Sequence, residues 1–185
     1  MDTAANLNLG ESLGDRILKV NHAGEHGAVN IYRGQYAACR WRNVNLRREL
    51  KEFQLHEERH RAIFANELRL RGVRRCRSYH LCGLGGLVLG FVTGLCGRPS
   101  ISATTVAVEK VVLKHLEKQL QDLRECDLKA VQAISSIIDD ERNHHDHAAL
   151  EKRQGIFWPR VLRPVVGVAT ECVATECVIW LGMHL

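Results

Sequence analysis

Aromatic residues make up only 5% of the 185-residue chain and proline occurs three times, which leaves little material for the short strands and tight turns of a β-sandwich or barrel. Helices are favoured instead. The seven cysteines are an odd number and form no CxxC pair, so neither a disulfide scaffold nor a structural zinc module is expected, and the chain suits a reducing compartment. No secretory h-region follows Met1. Asp2, Glu11 and Asp15 stand against a single Arg16 in the first sixteen residues, unlike an Arg-rich, acid-poor transit peptide, so neither kind of leader is expected. No charge sign dominates: 26 Lys and Arg against 21 Asp and Glu give +5, too small a bias to mark a nucleic-acid or lipid-binding protein by itself. The length fits one domain, read as a tail over 1–14 and a domain over 15–185.

Apolar positions return every three or four residues over 15–38 and again over 43–71, where Leu46, Leu50, Phe53, Ile63, Phe64, Leu68 and Leu70 mark the stripe. Two amphipathic helices follow. Residues 79–97 are different: none is charged and six are glycine. Arg98-Pro99-Ser100 breaks the chain, Ser102, Thr104 or Thr105 can cap a new helix, and 104–126 and 128–153 read as two more amphipathic helices. Residues 165–181, carrying only Glu171 and Glu176, read as a last apolar helix.

The halves repeat. Glu25 precedes Glu57 by 32 positions, Glu109 precedes Glu141 by 32, and both Glu57-Glu58-Arg59-His60 and Glu141-Arg142-Asn143-His144 spell Glu-x-x-His. Every member of the second set lies 84 residues after its counterpart, as do Ile101 after Ile17, Ala107 after Ala23, Gln119 after Gln35 and Ala149 after Ala65. The repeat covers about 17–70 and 101–154. Residues three apart share a helix face at about 5 to 6 Å, so each Glu-x-x-His pair can grip one metal centre. One glutamate on each of two helices plus a Glu-x-x-His on each of the other two is the inward-pointing ligand set of ferritin-like dimetal carboxylate bundles. Glu25, Glu57, His60, Glu109, Glu141 and His144 are therefore the candidate ligands. Four carboxylates balance two divalent ions, whereas without metal they would be a costly cluster of like charges. His22, His26, His80, His115, His145, His147 and His184 read as surface groups or as groups supporting the ligands, with His145, Asp146 and His147 able to orient one.

His56-Glu57-Glu58-Arg59-His60 also spells HExxH, the zinc-protease helix. The repeat argues against it. Asp140 stands where the second copy would need the first histidine, and a single zinc would leave Glu25, Glu109, Glu141 and His144 without a role.

NHAGEHGAVNIYRGQ at 21–35, HEERH at 56–60, TVAVEK at 105–110 and DERNHHD at 140–146 together resemble the demethoxyubiquinone hydroxylase family of ubiquinone biosynthesis. The resemblance covers about residues 15–185 and extends to the Gly-rich segment between the halves. It implies an all-α fold: a ferritin-like four-helix bundle with an apolar interfacial helical insert and an extra C-terminal helix. It also implies a di-iron monooxygenase that hydroxylates the ring of a demethoxy-quinone with dioxygen and two electrons. Glu25 and His60 would be terminal ligands of one iron, Glu109 and His144 of the other, with Glu57 and Glu141 bridging. Imidazole and carboxylate suit iron and also manganese.

A quinone with an isoprenoid tail dissolves in membranes, so a membrane surface is an expected partner. Residues 79–97 offer the surface; the seventeen from Leu81 to Gly97 are barely long enough to span about 30 Å of hydrocarbon and read as interfacial rather than spanning, with bundle core as the alternative. Gly86, Gly90 and Gly94 form two overlapping GxxxG steps for close helix packing. Arg69, Arg71, Arg74, Arg75 and Arg77 before the segment and Arg98 after it suit anionic head groups, and Trp158, Arg160 and Arg163 resemble a second anchor. The expected location is peripheral, on the cytoplasmic face of a bacterial inner membrane or on the mitochondrial inner membrane of a eukaryote. An accessory lipid-binding protein, a ubiquinone-synthesis complex and a homo-oligomer are compatible with the resemblance, and the electron donor is left open. Nucleic acid is not an expected partner, because few aromatics are available for base stacking. The competing function for the same ligands is iron oxidation and storage or peroxide removal, which an uncharged, Arg-flanked apolar segment would serve poorly.

Overall fold

The computed structural model describes residues 11–40 and 44–151, which are almost entirely helical. Six helices follow one another: α1 (Leu13–Ala38), α2 (Val44–Leu70), α3 (Tyr79–Leu95), α4 (Arg98–Leu123), α5 (Leu128–Ser135) and α6 (Ile138–Glu151). The expected all-α bundle is present, with α1, α2, α4 and the α5–α6 pair as its four arms. The last apolar helix read over 165–181 and the Trp158 anchor lie outside the described residues.

Local chemistry sets the ends. Ser12 and Asp15 form a reciprocal capping box at the start of α1, each side chain meeting the other residue's backbone N–H. The sequence pattern predicts a third arm from about 104, with Pro99 as a breaker. It starts at Arg98. Proline lacks the N–H that a first helical turn leaves unused, so Pro99 fits inside that turn, and Gly97 supplies the positive φ of 86° that precedes it. The fourth arm, read as one helix over 128–153, breaks at Ser136 and Ile137. The Ser136 hydroxyl donates to the Ala133 carbonyl at 2.7 Å and competes with the helix ladder at the break.

Two apolar clusters close the ends of the bundle. One joins Leu18, Phe64, Leu68, Leu116, Leu123 and Ile134; the other joins Tyr32, Cys39, Leu46, Leu50 and Ile101. Each large buried side chain contributes roughly 1.5–3 kcal/mol. The predicted ligands on α1, α2 and α4 fall between these clusters, and those on α6 follow the first cluster's Ile138.

α3 runs parallel to α1 along a glycine seam. A Cβ on Gly86 would meet the Gly27 carbonyl, one on Gly90 the Ile31 carbonyl, and one on Gly94 would come within 2.7 Å of the Ala38 Cβ. Gly83, Gly86, Gly90 and Gly94 face inward, and seven large residues face out: Leu81, Leu84, Leu87, Val88, Phe91, Val92 and Leu95 are all exposed. No helix among the described residues is long and apolar enough to cross a membrane. The arginines flanking α3 divide into two groups. Arg71 is committed to Asp127, Glu67 and Asp15 at 2.5, 2.9 and 3.2 Å, and Arg98 to Glu49 at 2.9 Å, so these two are taken up by internal pairs. Arg69, Arg74, Arg75 and Arg77 are exposed.

Candidate metal centre

All six residues singled out by the repeat are buried, and they meet at the centre of the bundle. Glu25 comes from α1, Glu57 and His60 from α2, Glu109 from α4, and Glu141 and His144 from α6; none is more than 6% exposed. They fall into two overlapping quartets. Glu25, Glu57, His60 and Glu141 each place one donor atom within 4.8 Å of all the others, and so do Glu57, Glu109, Glu141 and His144. Glu57 and Glu141 belong to both.

The histidines approach the carboxylates through Nδ1. His60 Nδ1 lies 2.8 Å from Glu141 Oε1, 3.6 Å from Glu57 Oε2 and 3.9 Å from Glu25 Oε2, while His144 Nδ1 lies 3.1 Å from Glu57 Oε1. These approaches are short but lack hydrogen-bond alignment: Nδ1 of both histidines and Oε1 of both Glu57 and Glu141 are buried without a hydrogen-bond partner. Such orphaned donor atoms are rare in a folded interior, and a shared cation satisfies them.

The electrostatics lead to the same requirement. Burial raises Glu25 and Glu109 well above the ordinary carboxylate range, and the neighbouring Glu141 and Glu57 raise both further. Against the effect of its own burial, Glu57 is held down to about 2 by His144 and His60. His60 is raised to about 11, since its contacts with Glu141 and Glu57 outweigh the opposing effect of burial. Without metal, the cluster therefore favours protons on Glu25 and Glu109 over charge. Two divalent ions balance four carboxylates without them, so the residues present fit a dimetal centre.

Around the quartets stand groups that the sequence reading did not assign. His60 Nε2 lies 3.2 Å from Asp140 Oδ2 and His144 Nε2 lies 3.0 Å from His56 Nδ1. The expectation that His145, Asp146 and His147 orient a ligand is corrected. His145 pairs with Asp146 at the surface at 3.0 Å, and His147, about one turn beyond His144 on the same side of α6, meets the Phe53 ring and reaches Glu49 at 3.5 Å. His56 belongs to neither quartet, which removes the support for an HExxH zinc site. The Tyr32 hydroxyl donates to Glu109 Oε1 at 3.5 Å from within the core. His22, read as a surface group or a support for a ligand, is buried with its ring 4.8 Å from that of Tyr79, and His26 stacks on the same ring at 4.0 Å. Only the position of His56 and Asp140 directly before the shared glutamates could have marked them in the sequence.

The family model described as ubiquinone biosynthesis protein COQ7 matches residues 12–177. A Dictyostelium discoideum protein named NADPH-dependent 3-demethoxyubiquinone 3-hydroxylase, mitochondrial, is 32% identical over 176 residues, which is 92% of this chain and 77% of that protein. A Rhodospirillum rubrum 3-demethoxyubiquinol 3-hydroxylase is 34% identical over 71% of this chain and 62% of its own length. The mouse (Mus musculus) protein with the same name as the Dictyostelium one is 34% identical, over 75% of this chain and 65% of its own. The chain thus spans about three quarters of the first relative and a little under two thirds of the other two.

Proposed function

Because the chain belongs to the ubiquinone biosynthesis protein COQ7 family, we propose that it is a di-iron monooxygenase that hydroxylates the ring of a demethoxy-quinone, a ubiquinone precursor, with dioxygen at a membrane surface. One observation carries this reading: two buried quartets of Glu and His that share Glu57 and Glu141. Glu25, Glu57, His60 and Glu141 would hold one ion and Glu57, Glu109, Glu141 and His144 the other, with Glu57 and Glu141 common to both. Bound iron would supply the redox chemistry with dioxygen that no protein side chain can perform. The chain's own residues do the rest. His60 and His144 present Nδ1 inward and hold their Nε2 protons on Asp140 and His56, which fixes tautomer and ring orientation. Burial keeps bulk water away, and the four carboxylates hold the balancing charge.

The outward leucines of α3 support access to a lipid-dissolved substrate. Seven exposed large apolar residues on one helix, with Arg74, Arg75 and Arg77 exposed just before it, suit a surface that rests in the head-group region. A soluble iron-storage shell would have no use for that face. We place the protein peripherally at the inner membrane of a bacterium, on its cytoplasmic face, or of a mitochondrion. The test is quinone analysis of cells lacking the protein: accumulation of the demethoxy precursor, reversed by the wild-type gene but not by Glu57→Ala, supports the reading. An unchanged quinone profile sinks it.

A further inference from the structure

The two copies of the repeat differ at one position that matters. His56 and Asp140 are 84 residues apart, so they are repeat equivalents, and each directly precedes a shared glutamate. Each reaches across to the histidine of the opposite copy: Asp140 Oδ2 to His60 Nε2 at 3.2 Å, His56 Nδ1 to His144 Nε2 at 3.0 Å. The geometry is matched and the chemistry is not. A histidine that points Nδ1 at the centre carries its proton on Nε2, and that N–H donates to whatever stands behind it. A carboxylate acceptor strengthens the pull on the proton and makes the imidazole a better electron donor; a neutral imidazole acceptor does so less.

The remaining contacts add to the difference. Glu109, in the quartet of His144, also accepts a hydrogen bond from Tyr32, which draws electron density away from it. Arg59 approaches Asp140 only to 3.9 Å and is mostly exposed, so it leaves the carboxylate available to His60. The rings of His56 and His144 lie 5.2 Å apart and stacked, which holds the imidazole partner in place.

We infer that the two metal positions are unequal by construction, the one formed with His60 and Asp140 binding its ion more tightly than the one formed with His144 and His56. This rests on the dimetal reading of the site. His56 and Asp140 are positioning residues in it, acting on the ions through the two histidines. Removing such an outer partner typically alters metal affinity by about 10–100-fold, and a difference between two partners falls toward the lower end of that span.

The test is anaerobic titration of the metal-free full-length chain with ferrous iron, followed by calorimetry and by Mössbauer spectra of 57Fe at one and two equivalents. The wild type should fill in two steps separated by about tenfold or more, with one iron environment dominating at one equivalent. His56→Asp gives both histidines a carboxylate, and the steps should converge. Asp140→His gives both an imidazole and should converge them from the weaker side, which keeps the test open if the first variant does not fold. The exchanged pair His56→Asp with Asp140→His should restore two steps, the environment filled first becoming the one that wild type fills second. His56→Gln, which keeps a neutral acceptor, should behave as wild type. A merely structural role would not produce this inversion. Two ions binding with the same spacing in wild type, His56→Asp and Asp140→His would overturn the inference and leave the dimetal reading standing, whereas a wild type that takes up no pair of ions would overturn both.

Discussion

At the scale of single residues, the two shared glutamates and the four unshared ligands should respond differently to loss. Glu57 and Glu141 each belong to both quartets, so replacing either by Ala should take bound iron from two per chain toward none. His60→Ala leaves the quartet of Glu57, Glu109, Glu141 and His144 intact and should retain about one. Iron analysis with Mössbauer spectra separates these outcomes, and equal losses from all six substitutions would contradict the bridging assignment. Away from the centre, the Arg71 guanidinium ties Asp127 and lowers its pKa below the ordinary 3.8. Because the folded value is the lower one, the pair stabilises the fold fully above the unfolded carboxylate's pKa and loses that effect as pH falls through the folded value. Asp127→Asn should therefore cost about 2 kcal/mol near neutral pH and flatten the loss of stability below about pH 4, as read from denaturant midpoints across pH.

At the scale of the element, α3 is attached by glycine and exposed by leucine. A methyl group at Gly90 would press on the Ile31 carbonyl, and backbone cannot move aside, so Gly90→Ala should destabilise by about 1–3 kcal/mol. Gly85 lies on the exposed side of the same helix with nothing near a Cβ, so Gly85→Ala should be neutral or stabilising by up to about 1 kcal/mol. Chemical denaturation of the two variants compares them directly. The GxxxG spacing of Gly86, Gly90 and Gly94 made the seam legible in the sequence, although not that α1 is the helix it packs on. The ends of the arms were less legible. Pro99 is compatible with both a break and a first turn, and only the positive φ at Gly97 decides for the turn. The interruption at Ser136 was hidden because the apolar period continues through Ile134, Ile137 and Ile138, which are all buried despite the break.

At the scale of the whole molecule, the exposed face of α3 should set how the protein meets lipid. Leu84 and Val88 are 60% and 56% exposed and sit one turn apart. Replacing both with Asp should weaken partition onto anionic vesicles by at least about tenfold at unchanged iron content, each charge costing a few kcal/mol near hydrocarbon. Vesicle co-sedimentation reads this out, and a double variant that binds normally would argue against the membrane reading. The six central residues were visible in the sequence because a repeat copies a ligand set as a block, with the 84-residue offset preserved. Asp140 and His56 were harder to assign because their partners lie on the opposite copy, where spacing along one helix gives no guide. That crossing has a consequence for how the halves hold together. Each quartet takes three donors from one copy and one from the other: Glu25, Glu57 and His60 with Glu141 in the first, Glu109, Glu141 and His144 with Glu57 in the second. Neither half alone holds a full set, and the seam between them is lined by carboxylates that repel. The ions are thus a form of mortar: a half expressed by itself could complete the set only by pairing with a second copy about a two-fold axis, which makes the single chain the covalent equivalent of a symmetric dimer.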